Sequence, residues 1–227
     1  MTMTLYMHPA STACRPVSLF IAEKKLPVTE RVVDLMSGEH LAAPFTAINP
    51  SRLVPALEDG EFRLTECSAI LKYLAEKVGS PAYPADLRRR ARVNERMDWL
   101  NTGFYRDLGY GLIYPQILPH HRRVDDGVQA GTLTWGCARA KGWLKVLDED
   151  LIGPNSDYLC GSEITLADYL GAAILTLGEV IHLDYAVYRN ISRWLDTMKT
   201  RPSWATVNET FYADFVAPFN GASFVGL

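Results

Sequence analysis

Ser11-Thr12-Ala13-Cys14-Arg15, taken with Val54-Pro55 and Glu66-Cys67-Ser68, decides how this chain folds. The first stretch follows a short apolar run, Met3-Thr4-Leu5-Tyr6-Met7, that reads as a strand broken at Pro9. From Cys14 to Lys25, Val17, Phe20 and Ile21 recur at helical spacing. A small hydroxyl side chain therefore stands between a strand and the head of a helix. The Val-Pro pair stands just before another strand, and Glu66 opens a further helix. That order gathers backbone and side-chain donors around one site the size of a thiol.

Outward from these stretches the first eighty residues alternate strand and helix. Pro27-Val28 restarts the chain, and Glu30 to Val33 reads as a second strand. A weaker helix runs from Ser37 to Ala47 and ends at Asn49-Pro50. Leu53 to Leu57 and Phe62 to Leu64 flank Asp59-Gly60, a strong hairpin signal. Glu66 to Val78 places Cys67, Ile70, Leu71, Leu74 and Val78 on one helical face. The sum, β-α-β-α-β-β-α, is a thioredoxin-like arrangement. Past Gly79-Ser80-Pro81 and Pro84 the pattern is helical. One stripe is Val93, Met97, Leu100, Phe104 and Leu108; another is Leu133, Cys137, Ala140, Leu144, Leu147 and Leu151. The expected fold class is an α+β thioredoxin-like domain over residues 1–80, a linker over 81–88 and an all-α helical bundle over 89–227. Thr165 to Asp168 forms a T-x-x-D capping box with Ile164 and Tyr169 as its staple, so Asp168 reads as a folding residue.

Composition excludes several functions. A net charge of −3 gives no general attraction for nucleic acid or anionic lipid. The run Arg88, Arg89, Arg90 and Arg92 is interleaved with Asp86, Glu95 and Asp98, and reads as a solvated helix face or a subunit contact. Cys14, Cys67, Cys137 and Cys160 have neither metal nor disulfide spacing, which fits a reducing compartment. No basic segment followed by a long apolar run opens the chain, so neither a signal peptide nor a membrane span is expected. A cytoplasmic location is the resulting expectation. His120-His121 lacks partner ligands at useful spacing, so no metal is expected and a surface loop is preferred.

The chemistry centres on Ser11. A thiol near its ordinary pKa of about 8.5 is only a few per cent thiolate at neutral pH. Lowering that value by about two units takes roughly 2.7 kcal/mol of preference for the anion. A hydroxyl beside a helix N-terminus supplies much of this, because free amides and the helix dipole favour negative charge. Arg15, one turn on, adds positive potential. Ser11 as a simple turn or cap residue is the plain alternative. Ser11-Thr12-Ala13-Cys14 lacks the first cysteine of a C-x-x-C redox pair, and His8 near Ser11 has no G-x-S-x-G elbow beside it. Tyr6 lies within the strand and reads as core.

The eleven residues from Leu5 to Arg15 resemble the opening of the theta-like, serine-using glutathione S-transferases. Val33-Asp34-Leu35, Gly38 to Leu41, Asn49-Pro50, Val54 to Leu57, Asp59-Gly60 and Leu64-Thr65-Glu66 follow in the family's order. Tyr83-Pro84, Arg90 to Val93, Trp99 and Leu159-Cys160-Gly161 extend the likeness, which thins after about Thr176. His8-Pro9-Ala10-Ser11 is similar to the bacterial dichloromethane dehalogenases of that group. The resemblance implies glutathione as co-substrate, with its thiolate held by Ser11. It implies a cis Pro55 that frees the Val54 backbone to pair with the cysteinyl part. Glu66, Cys67 and Ser68 would take the γ-glutamyl end, and His40 the glycyl carboxylate. Leu53 stands where the family commonly has Lys, with Arg52 one residue away; Cys67 stands where Ser is usual. The family's second substrate, a small hydrophobic electrophile, implies a pocket from Trp99, Phe104, Tyr105, Tyr110, Tyr114, Phe211 and Tyr212, with Phe215 near the end. The implied protein is a homodimeric transferase that conjugates glutathione by displacement or addition. A glutathione-dependent haloalkane dehalogenase and a non-catalytic interaction protein of the same fold are the alternatives.

Overall fold

The computed structural model describes residues 3–227. Four strands form one sheet in the order β2-β1-β3-β4: β1 Met3–Met7, β2 Val28–Val32, β3 Ala56–Asp59 and β4 Phe62–Thr65. β2 runs parallel to β1, while β3 and β4 are antiparallel to their neighbours. The parallel pair is joined by α1 (Arg15–Lys24), and α3 (Cys67–Lys77) packs beside α1. Register decides which segments meet. Tyr6 pairs with Ala56, which pairs with Thr65, and Met7 pairs with Val32. The segments after β1, after β2, before β3 and after β4 therefore leave the same end of the sheet.

Two details differ from the sequence reading. The helix expected over 37–47 is only a 3-10 turn, Glu39–Leu41, and one turn of α-helix, α2 (Ala43–Thr46). Gly38 in a left-handed conformation (φ 81°) and an extended Ala42 break the run. The strand expected from Leu53 starts at Ala56, after the cis Val54–Pro55 peptide.

The rest is helical: α4 (Leu87–Asp98), α5 (Tyr114–Ile117), α6 (Asp126–Val146), α7 (Leu166–Leu177), α8 (Arg189–Lys199) and α9 (Trp204–Phe211). Asp86 caps α4 by accepting from the Arg89 amide at 2.9 Å, and Asp125 caps α6 by accepting from Val128. All five residues of the first bundle stripe are fully buried; in the second, Cys137 and Leu151 are half-buried. α7 is buried along its whole length. Its capping box is present, and Asp168 does more than cap: its carboxylate accepts from the amides of Leu159 and Thr165, the Thr165 hydroxyl and Trp194 Nε1, all within 3.0 Å.

Between α4 and α5 the chain winds as π-helix, Trp99–Phe104 and Arg106–Ile113. In an α-helix residues five apart point about 140° from each other. A π turn bonds i to i+5 and stacks them. Glycines let this stretch press on its neighbours: a Cβ at Gly136 of α6 would stand 2.4 Å from the Gly111 carbonyl. Asp107, fully buried, pins it by accepting from Arg139 Nε and Trp143 Nε1 on α6 and from Arg106.

α1 joins the sheet to the helices. Its Arg15 is 1 % exposed. The guanidinium donates to Thr176 Oγ1 (3.0 Å), the Ala173 carbonyl (2.9 Å) and Asn208 Oδ1 (2.8 Å), and lies 3.7 Å over the Phe211 ring. At the other end of α1, Glu23 accepts from the Tyr169 hydroxyl and from Arg201.

Candidate active site

Ser11 is half-buried at the end of β1 where the four segments converge. Its carbonyl accepts from the Cys14 and Arg15 amides, both at 3.0 Å, so the helical turn begins at Ser11 itself. Among the described residues no backbone carbonyl takes the Thr12 or Ala13 amide. Free amides, a hydroxyl and the positive end of α1 make this corner suited to an anion. Cys14 is not that anion: burial pushes its thiol up to about 12, against the opposing pull of the Ser11 hydroxyl and His8 backbone. His8 accepts from the Ala10 amide through Nδ1, and burial pulls its pKa down, so it shapes the turn as a neutral ring. Tyr6 is spent on Glu58, at 2.6 Å.

Around this corner the sequence-expected residues take distinct positions. Val54 is half-buried, and no described hydrogen bond uses its backbone groups. Leu53 is 63 % exposed, and its carbonyl accepts from Asn49. Arg52 is exposed, with a left-handed backbone (φ 60°) and no ion pair among the described residues. Glu66 also holds positive φ (69°) as it opens α3, in a conformation that a non-glycine residue adopts at a cost of roughly 1–3 kcal/mol. Such strain clusters where ligands are held. The Cys67 side chain turns into the core, where burial raises its pKa, so only its amide faces outward; Ser68, half-buried, is the hydroxyl left at the head of α3. His40 is half-buried, and its buried Nδ1 has no partner among the described residues.

The aromatic residues separate into groups. Tyr105, Tyr110 and Tyr114 cluster: the π winding brings Tyr105 and Tyr110, five apart, into line with centroids 5.5 Å apart, and Tyr114, four further on, packs against Tyr110 at 5.0 Å. The Tyr105 and Tyr114 hydroxyls are 2.5 Å apart, and Tyr114 donates to Thr12 Oγ1 at 3.2 Å. Phe104 and Phe211 are core instead of pocket wall: both are fully buried, the first stacked on Trp99 and the second beneath Arg15. Trp99 also packs edge-on against Trp143. Tyr212 and Phe215 stay half-buried. His121, read from sequence as part of a surface loop, is half-buried and stacks on Tyr114 at 5.4 Å. No signal in the sequence tied it or Thr12 to this wall; only the π register does. No group of His, Cys, Asp and Glu among the described residues could hold a metal ion. Of two surface clefts, one of about 560 Å3 lies beside Arg88 and Cys160, away from Ser11, and one of about 630 Å3 lies along α9 and is bordered by Tyr212.

Sheet, converging segments and free helix head define a thioredoxin-like fold whose corner of free amides faces a helical domain. Family models agree: Glutathione S-transferase, N-terminal domain, matches residues 1–76, and Glutathione S-transferase, C-terminal domain, residues 138–202. The chain belongs to the glutathione S-transferase family. It is 35 % identical to human glutathione S-transferase theta-1 over 184 residues, covering 80 % of this chain and 73 % of that one. Its fold matches the apo form of human glutathione S-transferase T1-1 with TM-score 0.79 at 30 % identity, over 92 % of this chain and 89 % of that one. A Nilaparvata lugens delta-class glutathione transferase matches with TM-score 0.81 at 30 % identity, over 96 % and 98 %.

Proposed function

We propose that the protein conjugates glutathione to small hydrophobic electrophiles, as a serine-using transferase of theta-like type. The observation that carries this reading is the convergence fixed by the Tyr6–Ala56–Thr65 register. It brings Ser11, the Val54–Pro55 turn and the head of α3 to one end of the sheet, with the segment bearing His40 beside them. Residues 1–80 form the glutathione-binding domain, 81–88 the linker, and 89–227 the domain that receives the electrophile.

Glutathione lies across that edge. The Val54 backbone pairs with its cysteinyl unit, the α3 head with Glu66, the Cys67 amide and Ser68 takes the γ-glutamyl end, and His40 takes the glycyl carboxylate. Arg52 supplies the cation near that end which Leu53 does not. Ser11 donates to the sulfur, and the first-turn amides of α1 add their field. The thiolate attacks an electrophile bounded by Tyr105, Tyr110 and Tyr114, with Tyr212 on the far side, forming a carbon–sulfur bond as the leaving group or a π electron pair departs. Displacement at a haloalkane uses the same thiolate, but the likeness to the dichloromethane dehalogenases rests on His8 to Ser11 alone, and nothing favours an interaction-only protein. The protein acts as a cytoplasmic homodimer. Among the described residues no helix is long and apolar enough to cross a membrane.

Calorimetric titration with glutathione, with ultraviolet difference spectra on the same samples, tests the reading. Binding with thiolate absorbance near neutral pH, lost in Ser11→Ala while circular dichroism is unchanged, is expected. A wild-type protein that ignores millimolar glutathione would overturn it.

A further inference from the structure

Thr12 offers a hydroxyl that the assigned chemistry does not use. It is 5 % exposed, directly follows Ser11, and accepts from Tyr114 at 3.2 Å. Tyr114 in turn lies 2.5 Å from the Tyr105 hydroxyl. Three hydroxyls carry three protons, and the two contacts use two of them. Since the Tyr114 proton goes to Thr12, the Tyr105 proton must fill the 2.5 Å contact. With Tyr114 as donor the Thr12 proton is left to turn either back toward Tyr105 or outward to a ligand. A buried hydroxyl next to Ser11 whose proton can turn outward is a donor available to a group bound at that corner.

We propose that Thr12 is a second hydroxyl donor to the sulfur held at Ser11, the working end of a hydroxyl chain running from Tyr105 through Tyr114. The proposal rests on the reading that a glutathione thiolate occupies that corner. Each hydroxyl that accepts a bond becomes a stronger donor to the next, so the two tyrosines strengthen the bond made by Thr12. Surroundings keep the chain in its donating state. Burial holds both phenols above their ordinary pKa, so they stay protonated. His121, stacked on Tyr114, is held toward its neutral form by burial. Arg15 lies behind the chain with no carboxylate within ion-pair distance among the described residues, Glu179 acting on it from further off and Arg123 lying on the His121 side; its field favours negative charge at the sulfur end. No proton is transferred; the chain only orients and polarises donors.

Thr12→Val keeps the shape and removes the hydroxyl. The pKa of bound glutathione, read by ultraviolet difference titration, should rise by about one unit, a tenfold loss of thiolate below that pKa. At such pH kcat should fall about tenfold, with the KM for glutathione changed less than about twofold. Thr12→Ser should restore both values. Tyr114→Phe, which leaves the α1 turn untouched, should shift the pKa in the same direction by about half as much, and it carries the test if Thr12→Val does not fold. A wild-type thiol pKa in Thr12→Val, where Ser11→Ala abolishes thiolate formation, would overturn this proposal alone. A shift in Thr12→Val without one in Tyr114→Phe would overturn the chain. Wild-type protein that binds no glutathione would overturn the underlying reading as well.

Discussion

Asp168→Ala separates a helix cap from a structural hub. The carboxylate is fully buried and receives four donors: the Leu159 and Thr165 amides at 2.8 Å, Trp194 Nε1 at 2.9 Å and the Thr165 hydroxyl at 3.0 Å. An alanine leaves the two amides and the indole buried without an acceptor, while the hydroxyl can rotate to another. At roughly 1–3 kcal/mol for each stranded donor, the gross loss is about 3–9 kcal/mol. Burial raises the Asp168 pKa against the pull of those donors, so a desolvation penalty disappears with the side chain and the net loss lies near the low end, about 3–4 kcal/mol. Loss of an N-cap alone is worth about 1 kcal/mol. In a chain of this size each kcal/mol moves Tm by about 2–4 °C. Thermal unfolding followed by circular dichroism should thus show a drop of about 6–16 °C for Asp168→Ala, against about 2–4 °C for Thr165→Ala. Equal, small drops in the two variants would refute the hub.

Asp107 carries a prediction of pH dependence. Burial would raise its pKa, but the bonds from Arg106, Trp143 and Arg139 outweigh that and hold it below the ordinary 3.8. An acid whose pKa is lower folded than unfolded stabilises above its unfolded value and loses that contribution as pH falls through the folded one. The fall of Tm with acid below about pH 4 should therefore be shallower in Asp107→Asn than in the wild type; equal slopes would count against this. Arg15→Lys keeps the charge but cannot span Thr176, Ala173 and Asn208 or stack on Phe211. It should cost about 2 kcal/mol or more in urea unfolding, and a variant as stable as the wild type would show that the guanidinium anchors nothing.

The two halves of the protein were unequally legible in its sequence. Strands, hairpin, α1, α3 and both bundle stripes follow from local periodicity and turn chemistry, which residues near in sequence dictate. The Asp168 cap was legible for the same reason. Tyr105, Tyr110 and Tyr114 could be named as pocket candidates, but a helix of 3.6 residues per turn would scatter positions 105 and 110 instead of stacking them. Phe104 and Phe211 were assigned to the wall because an aromatic lining a pocket and one filling a core look alike along the chain. What decides between them is a partner such as Arg15, 196 positions before Phe211.

Arg15 shows why the remainder was hidden. Beside Ser11 it reads as a charge aimed at the site, yet its guanidinium turns the other way, to Thr176 and Asn208, 161 and 193 positions along. Burial lowers its pKa only to about 10, so the cation persists at neutral pH, held by neutral oxygens and an aromatic face. Charges without a counter-ion act over longer distances in a low-dielectric interior than on a surface, where salt screens them. The turn leading into α1 therefore places Ser11 and Thr12 at the sheet edge, while Arg15 at the start of α1 is fastened to α7 and α9. The position of the Ser11 corner relative to the tyrosine cluster is fixed by that fastening, with Tyr114 reaching back to Thr12 from the helical side. The placement of Ser11 and the docking of the two halves thus depend on neighbouring residues at the head of α1, and a change at Arg15 would disturb the Ser11 corner through both geometry and field.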